Sequence, residues 1–375
     1  MKSTAILSVV LTAILPLYFI DQAPAVVGGV YTLSDPSSCA DCVESAGARL
    51  PSVKIVAPGA NGDYTTIQGA VDSAVPGDII RVIGGVYTGK IVVKNSGTRL
   101  RPITIEAYPG HKPIIVPGKG EGDRVEIDAE WIVFQGFEVM KGWDGVKLYK
   151  GNNIIRNNKI HRNTYQGILI ISTDNITIEN NIIESNGTGK GECYNKDWRG
   201  SSPKHCHGIY LSDFECKGIS GVAIRGNVIR NHGGRGIQMN GSKCSTWIEN
   251  LDIEKNLIED NSWGMAIYHH VRNSRITNNK FILEKYPSTD DTSHTHLGIW
   301  KSSNNEIQNN YFQSANPGVA ALEVFDAESA DNSVDYNTWK IKSGDWKWND
   351  SWRNDFQSQY QRTTGWDENG KIINY

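Results

Sequence analysis

A short pattern of apolar and polar positions recurs six times between residues 155 and 312 of this 375-residue chain. In each copy an isoleucine is followed three residues later by an asparagine and, two residues further on, by another apolar side chain. The isoleucine/asparagine pairs are Ile155/Asn158, Ile178/Asn181, Ile224/Asn227, Ile253/Asn256, Ile276/Asn279 and Ile307/Asn310. Two short strands with alternating inward and outward side chains, joined by a tight bend, produce this pattern. Its recurrence at one fixed offset predicts a structural repeat.

The spacing of these asparagines predicts the architecture of the repeat. They are 23, 46, 29, 23 and 31 residues apart, so we take 23 residues as one coil and the longer intervals as coils with loop insertions. Asparagine tolerates a left-handed bend, and its amide can hydrogen-bond to the same residue of the next coil. The predicted fold class is therefore all-β, a right-handed parallel β-helix built as a solenoid of roughly 23-residue coils.

A second strand of each coil begins at a glycine or an alanine, and its third residue is predicted to point outward. The starting residues are Gly145, Gly167, Gly208, Gly236, Ala266, Gly298 and Ala321. The predicted outward column is Lys147, Leu169, Tyr210, Gln238, Tyr268, Trp300 and Glu323. The residue before each start gives a neighbouring column of Asp144, Gln166, His207, Arg235, Met265, Leu297 and Ala320. His269 falls on the inward phase, so we expect it in the core.

The two ends of the chain differ from the repeat. Lys2, an apolar run at 5–20 and small residues around Pro24 indicate a secretory signal peptide over 1–25. We therefore expect a secreted, extracellular protein with no membrane contact after cleavage. The remaining 26–375 are predicted to form a single β-helix domain. Its predicted parts outside the coils are an N-terminal extension (26–57), a capping helix with Thr65 as its N-cap (64–75) and a C-terminal tail (340–375).

Export makes disulfides plausible for the six cysteines. Cys216 and Cys244 are 28 residues apart, as are Gly208 and Gly236, so the two cysteines hold equivalent positions in adjacent coils. The predicted disulfides are Cys216–Cys244, Cys193–Cys206 across a long insertion, and Cys39–Cys42 as the remaining local pair. A structural Cys206 removes the sulfur ligand from a metal site, although a zinc site from His205, His207 and His232 or His270 stays open as the less favoured alternative.

Several stretches resemble a known family. The segment "AVPGDIIRVIGGVYTGKIVVKNSGTRLRPITIEAYPGHKPII" is similar to the N-terminal coils of secreted β-helix polysaccharide lyases of the pectate, alginate and chondroitin lyase type. "WIVFQGFEVMKG" and "FQSQYQRTTGWDENG" resemble the following coils and the C-terminus, and the likeness covers most of 58–370. The pectate type implies calcium (Ca²⁺) held by an aspartate cluster beside a lysine, but only Asp144 stands beside Lys147 in the sequence. The other types imply a lysine and an arginine on neighbouring coils, whereas Lys147 and Arg235 are about three coils apart.

The exposed face suits one kind of chemistry in particular. β-Elimination of a uronic acid polymer needs a cation for the carboxylate, a base for the C5 proton and an acid for the leaving oxygen. Arg235 suits the first role because its planar fork can bind a carboxylate at two points. His207 or Tyr210 is the candidate base, and Tyr268 or Tyr210 the candidate acid. Candidate substrate-binding residues are Lys147, Trp198, Arg199, His205, Gln238, His270 and Trp300.

Glycoside hydrolysis requires two carboxylates about 5–10 Å apart. No two acidic residues stack on adjacent coils in the predicted columns, so a loop carboxylate such as Asp197 or Asp213 would be needed. The sequence therefore predicts a polysaccharide lyase that acts on an acidic polysaccharide as a monomer. A C5-epimerase, a glycoside hydrolase and a non-catalytic carbohydrate-binding surface protein are the alternatives. No cofactor follows from the motifs, calcium being the candidate, and the net charge of −3 gives no indication of a nucleic-acid partner.

Overall fold

The computed structural model of the chain describes most residues from Leu50 to Ile373. The described ranges are 50–59, 61–118, 122–188, 206–285, 294–329, 331–342, 346–348, 351–353 and 360–373. The predicted signal peptide, the Cys39–Cys42 pair, Cys193, Trp198, Arg199, Asp197 and His205 lie outside these ranges. Within the ranges, no helix has the length and apolarity that crossing a membrane would take.

In the described part of the chain, three sheets of eleven strands each run the length of the molecule. Sheet A consists of β1 (Val53–Val56), β2 (Ile79–Val82), β5 (Ile103–Ala107), β8 (Ile132–Gln135), β11 (Asn153–Arg156), β14 (Ile176–Glu179), β18 (Ala223–Arg225), β22 (Asp252–Glu254), β26 (Arg275–Thr277), β29 (Glu306–Gln308) and β32 (Ser333–Asp335). Sheet B consists of β3 (Gly85–Thr88), β6 (Pro113–Val116), β9 (Glu138–Met140), β12 (Lys159–His161), β15 (Ile182–Glu184), β19 (Val228–Arg230), β23 (Leu257–Glu259), β27 (Lys280–Ile282), β30 (Tyr311–Ser314), β33 (Thr338–Ile341) and β36 (Lys371–Ile372).

Sheet C forms the third side of the solenoid, and its outward face carries most of the predicted site residues. It consists of β4 (Ile91–Val93), β7 (Val125–Ile127), β10 (Val146–Leu148), β13 (Ile168–Ile171), β16 (Ile209–Ser212), β20 (Arg235–Asn240), β24 (Trp263–Tyr268), β28 (His294–Trp300), β31 (Val319–Val324), β34 (Trp346–Trp348) and β35 (Ser351–Arg353). Within each of the three sheets neighbouring strands pair in parallel, except that β34 and β35 are antiparallel. One strand from each sheet makes a coil, so the predicted parallel β-helix is confirmed.

The short elements lie outside the main sheets. Sheet D, a small parallel sheet at the corner between sheets C and A, contains β17 (Ile219–Ser220), β21 (Ile248–Glu249) and β25 (Val271–Arg272). The helices are α1 (Ile67–Asp72), α2 (Arg362–Thr364) and a 3-10 turn at Ala327–Ser329.

The interior is filled by stacked aliphatic side chains, because each strand alternates inward and outward positions. On sheet C the inward column is in register from coil to coil, and every member is at most 1 % exposed. This column is Val146, Ile168, Ile209, Ile237, Met265, Leu297 and Leu322. Burying each such side chain contributes about 1.5–3 kcal/mol, so the stack is the main stabilising element of the solenoid.

The corner between sheets A and B explains the repeated asparagine. The Asn181 Oδ1 accepts hydrogen bonds from the backbone N–H (3.0 Å) and the side-chain amide (3.2 Å) of Asn158 in the preceding coil. The same bonds continue through Asn227, Asn256, Asn279, Asn310 and Asn337. The predicted coil-to-coil contact is confirmed. The left-handed bend, however, lies on the preceding residue, as at Asn157 with φ 56°, so the two roles belong to neighbouring residues rather than to one.

A second ladder lies at the corner between sheets B and C, and there a histidine replaces an asparagine. Asn163 bonds to Asn186 as above, and the Asn186 N–H then donates to His232 Nδ1 at 3.2 Å. His232 Nε2 lies 3.1 Å from the Ile183 carbonyl oxygen. Both ring nitrogens therefore bond to the backbone, and burial lowers the pKa of His232 to about 4. His232 is a corner residue and has no lone pair for zinc.

The disulfide predicted between adjacent coils is present. Cys216 and Cys244 are joined, with their Cα atoms 5.1 Å apart. The bond ties the loop after β16 to the loop after β20 at the edge of sheet C. Cys206 is also in a disulfide, but its partner lies outside the described residues, so Cys193–Cys206 stays a prediction.

Both ends of the solenoid are covered. The capping helix is shorter than predicted, Ile67–Asp72 instead of 64–75. At its start Tyr64 forms a β-bridge with Val56, in which the Tyr64 N–H donates to the Ile55 carbonyl and the Ala57 N–H donates to the Tyr64 carbonyl. The N-cap of the helix is Thr66, whose hydroxyl accepts from the Gly69 N–H at 3.2 Å, so the assignment of Thr65 was wrong. At the other end Asp367 continues the asparagine ladder by accepting from the Asn337 N–H at 3.0 Å. The C-terminal tail therefore closes the last coil.

Two substitutions of His232 test whether it stabilises the fold as a member of the ladder. His232→Ala leaves the buried Asn186 N–H and Ile183 carbonyl unpaired, so the free energy of unfolding falls by about 3 kcal/mol or more. His232→Asn restores the residue type of the ladder and loses much less. Urea unfolding at pH 7 measures both, and equal losses in the two variants would contradict the assignment.

A comparison of the wild type with His232→Asn tests the effect of pH on stability. The pKa of His232 is about 4 in the folded chain, below the ordinary value of 6.5, so only the unfolded chain binds this proton between those values. The wild type should lose stability as the pH falls from 6.5 to 4, by on the order of 3 kcal/mol from this group, and be unaffected by it above 6.5. His232→Asn should lack that part of the slope.

Candidate functional site

The outward face of sheet C carries three columns of side chains. The observed strand register differs from the predicted one in two coils, those of Tyr268 and Trp300. Gln238 pairs with Ala266, and Ala266 with Gly298, so Tyr268 and Trp300 do not follow Gln238 in the central column. They lie two residues further along their strands, opposite Asn240. The observed central column is Glu126, Lys147, Leu169, Tyr210, Gln238, Ala266, Gly298 and Glu323.

The misplacement has a physical cause in the glycine column. In five coils a glycine begins the strand, and in the fifth it is Gly264 rather than Ala266. In the next coil His296 takes the place of this glycine. Its ring turns inward and packs against Phe312, with 5.8 Å between ring centroids. Met265 and Leu297, which were expected in the neighbouring column, are therefore core residues.

The column beside the central one forms a hydrogen-bonded ladder. It starts at Asp123 and continues through Asp144, Gln166, His207 and Arg235. Each of the first four side chains accepts a hydrogen bond from the backbone N–H of the next member of the column, at 3.1 Å, 2.9 Å, 2.6 Å and 3.1 Å in this order. These polar residues thus help to hold successive coils in register while they line the face.

His207 and Tyr210 lie together on this face. His207 Nδ1 accepts the Arg235 N–H, so the proton of the neutral ring is on Nε2. The His207 ring, which is 2 % exposed, stands edge-on to Tyr210 with 5.0 Å between ring centroids. The Tyr210 hydroxyl makes no hydrogen bond to any described residue. Tyr210 therefore presents a phenol to the face, while His207 supports its ring.

Arg235 lies over a bed of aromatic rings. Its guanidinium carbon is 4.8 Å from the Trp263 ring centroid and 5.6 Å from that of Tyr268. Tyr268 also packs edge-on against Trp300, with 5.8 Å between centroids, and against Phe325 at 5.9 Å. Such contacts hold a cation in a defined place beside apolar surface. Trp300 is 38 % exposed and forms the open end of this aromatic cluster.

An ion cluster occupies the N-terminal part of the face. Lys147 Nζ is 3.2 Å from Asp123 Oδ2 and 3.8 Å from Asp144 Oδ2. The expectation that no two acidic residues stack here was wrong, since Asp123 and Asp144 are adjacent in register. Burial, and then the charge of Asp123, raise the pKa of Asp144 to about 7. Burial alone would raise the pKa of Asp123 and lower that of Lys147. The charge of Lys147 nevertheless lowers the pKa of Asp123, and the charges of Asp144 and Asp123 raise the pKa of Lys147 to about 12.

These residues do not fit a calcium ion. A calcium site needs six to eight oxygen ligands, whereas here the ammonium of Lys147 lies between the two carboxylates. Across the described ranges no group of three histidine, cysteine, aspartate or glutamate side chains could hold a metal ion. We derive no step through calcium or zinc from this arrangement.

Other predicted residues lie at the edges of the face. His270 has a left-handed backbone, φ 60°, and its ring contacts Trp247 at 5.4 Å, away from Arg235. His269 was expected in the core but is half-buried against Trp300, at 4.8 Å, because the strand has already ended there. Asp213 is 1 % exposed and binds Ser172 Oγ at 2.8 Å, so it organises a loop instead of facing the site.

Four residues of the face were missed from the sequence: Asp123, Glu126, Trp263 and Phe325. A signal for the first two existed, because "DRVEI" at 123–127 matches "DGVKL" at 144–148 with Arg124 in place of the glycine. For Trp263 the signal was Gly264. No pattern in the sequence pointed to Phe325, which follows the end of β31.

Comparison with known proteins gives the fold. Residues 125–281 match the family described as "Right handed beta helix region". No curated protein sequence matches the chain.

Among solved structures, the GH136 lacto-N-biosidase from Eubacterium ramulus superposes with a TM-score of 0.54 at 14 % identity, over 86 % of this chain and 67 % of that one. Pectate lyase Pel9A gives 0.47 at 16 % identity, over 75 % and 82 % of the two chains. The surface adhesin PfbA of Streptococcus pneumoniae gives 0.46 at 12 % identity, over 75 % and 83 %. The chain thus has the right-handed parallel β-helix fold, as its sequence predicts.

Proposed function

We propose that the chain is a secreted polysaccharide lyase that cleaves a uronic-acid-containing polysaccharide by β-elimination on the outward face of sheet C. One observation carries the proposal: a cation and an open phenol lie on adjacent coils. Arg235 is fixed over the Trp263 and Tyr268 rings, and the Tyr210 hydroxyl is available one coil away. Arg235 lies one coil from Tyr210 and three residues before Gln238, the register partner of Tyr210, so the Cα atoms of Arg235 and Tyr210 are about 11 Å apart. Both side chains are long enough to contact one sugar unit placed between them.

The reaction needs no external reactant. The C5–H bond breaks, a double bond forms between C4 and C5, and the bond from C4 to the glycosidic oxygen breaks. Arg235 binds the carboxylate and stabilises the negative charge that develops on it as the C5 proton leaves. Tyr210 takes that proton as a phenolate and returns it as a phenol to the leaving oxygen, so protons and charge balance.

Strand register supports a division of roles between the two tyrosines. Tyr268 lies two coils and two residues along from Tyr210, a separation of about 12 Å between Cα atoms. The Tyr268 ring also lies 5.6 Å from the Arg235 guanidinium carbon, which favours Tyr268 as a positioning residue beneath Arg235, with Tyr210 as both base and acid. His207 supports the Tyr210 ring, since its Nδ1 is already bonded to the Arg235 N–H. Gln238, three residues beyond Arg235 on the same strand, and Trp300, two coils further on, then contact the sugar chain.

The acidic pair argues against a hydrolase at this face. The two carboxyl groups of a glycosidase are about 5–10 Å apart and flank the scissile bond. Burial and the charge of Asp123 raise the pKa of Asp144 to about 7, and Lys147 binds both carboxyl groups. Their geometry is that of an internal ion cluster.

Elimination has a spectroscopic signature, since it alone creates a conjugated unsaturated uronate. We expect ultraviolet absorbance to rise when the protein is mixed with one of pectate, alginate, glucuronan or chondroitin. Parallel reactions with EDTA test calcium. A flat trace with all four would contradict the lyase. Product NMR would then identify an epimerase or a hydrolase, and graded losses of affinity in Trp300→Ala and Tyr268→Ala would identify a binding protein.

Arg235→Ala should lower kcat/KM by a factor of about 100 to 1000, the usual loss for one group that stabilises transition-state charge. Arg235→Lys keeps the charge without the planar fork, so we expect a loss between those of the wild type and the alanine variant. The matched control is Arg275→Ala on sheet A, whose side chain is 62 % exposed. The assignment fails if Arg235→Ala stays within twofold of the wild type.

Tyr210→Phe removes only the hydroxyl, so kcat should fall by a factor of about 100 or more with little change in oligosaccharide binding. Initial rates and calorimetric titration measure the two quantities. Tyr311→Phe on sheet B, whose hydroxyl bonds to Gln313 at 3.1 Å, serves as the control. Full turnover in Tyr210→Phe would show that another group moves the proton.

A further inference from the structure

Gln238 is a buried amide without a partner on the face of sheet C. It lies between Tyr210 and Ala266 in the central column and is 4 % exposed. Its Oε1 accepts no hydrogen bond, and the amide makes none to any described residue. Buried side-chain amides are nearly always paired, because desolvating an unpaired polar group costs free energy. An unpaired one at an outward position indicates a place for a ligand.

Another glutamine on the same face is fully engaged. Gln166, 8 % exposed, accepts the His207 N–H at 2.6 Å and so belongs to the ladder beside the central column. The sheet can therefore pair a buried glutamine with backbone. The central column offers no such backbone donor to Gln238, because the N–H groups of a paired strand already bond to the neighbouring strands.

We propose that Gln238 is the specificity-determining residue of this site, where its Oε1 accepts a hydrogen bond from a free ring hydroxyl of the uronate held by Arg235. The substrate class is then a polyuronate that is unsubstituted at that hydroxyl. This inference rests on the proposed function, since it takes the uronate and its Arg235 contact from there.

The local geometry supports this reading. Arg235 and Gln238 are three residues apart on β20, so a sugar whose carboxylate meets the guanidinium lies close to Gln238 in the central column. The next residue in that column is Ala266, whose small side chain adds no bulk beside Gln238. An acetyl or sulfate group on the hydroxyl removes the donor and adds bulk beside a side chain that is almost fully enclosed.

The proposal predicts discrimination between substituted and free polymers. A site built to hydrogen-bond a hydroxyl rejects an analogue without it by a large factor, since the buried group stays unpaired in that complex. We expect the wild type to prefer free over O-acetylated uronate by a factor of at least about 100 in kcat/KM. Gln238→Met, which keeps the shape without the amide, should reduce that preference to below tenfold.

A measurement without substrate tests the same residue independently of catalysis. Replacing an unpaired buried amide by an apolar side chain of similar shape stabilises a protein. We expect Gln238→Met to raise the Tm of the free protein by a few degrees. Gln166→Met is the matched control and should lower the Tm, because it breaks the bond to the His207 N–H. A lowered Tm in Gln238→Met would overturn the proposal, whatever the activity.

Binding experiments separate this inference from the proposed function. Tyr210→Phe and Tyr210→Phe/Gln238→Met are titrated calorimetrically with free and O-acetylated oligouronides and with a neutral oligosaccharide. Loss of the preference for free oligouronide in the double variant supports the proposal, and an unchanged preference overturns it. Binding of the neutral sugar alone, lost with Gln238→Met, would overturn the lyase while upholding the hydroxyl contact. No binding of any sugar would overturn both.

Discussion

The register between coils depends on buried side chains at the corners that accept backbone N–H groups from the adjacent coil. Strand pairing cannot satisfy these N–H groups, because the chain turns there and water is excluded. Asn158, Asn181 and Asn227 show that the rule tolerates very different coil lengths, since intervals of 23 and 46 residues end in the same bond. Loops can therefore grow between ladder positions without shifting any strand. The ladder thus sets which residues of successive coils stack, and so which side chains are neighbours on the outward faces of the sheets.

The candidate site uses the same device for a second purpose. Asp144, Gln166 and His207 accept backbone N–H groups in the way the corner asparagines do, yet they line the open face of sheet C. Their remaining atoms act on neighbours: Asp144 on Lys147, and His207 on Tyr210. A side chain whose position is fixed by backbone cannot drift, so the groups beside it are preorganised. This explains how a solenoid of short strands can hold Arg235 and Tyr210 in a constant relation.

The fold could be predicted almost completely, because the isoleucine–asparagine period reports a backbone requirement that recurs in every coil. The face could be predicted only in part. Arg235, Tyr210 and Gln238 were placed correctly, since the glycine before each strand marks the phase. Tyr268 was placed two residues out because Ala266 was taken as the strand start in place of Gly264. Trp300 was placed two residues out because His296 fills the position that glycine holds in other coils, and no local pattern distinguishes an inward histidine from an outward one. The Asp123 contact depends on tertiary register and charge, which a sequence pattern reports only indirectly.

The N-terminal part of the face also responds to pH. Below about pH 7 Asp144 carries its proton, so Asp123 and Lys147 balance and the N-terminal part of the face is neutral. Above that pH Asp144 ionises and the cluster gains one negative charge, while Glu126 remains paired with Lys90 at 2.5 Å. The N-terminal part of the face thus becomes more negative as the pH rises, which on the proposed function repels a polyanionic chain from the Lys147 end.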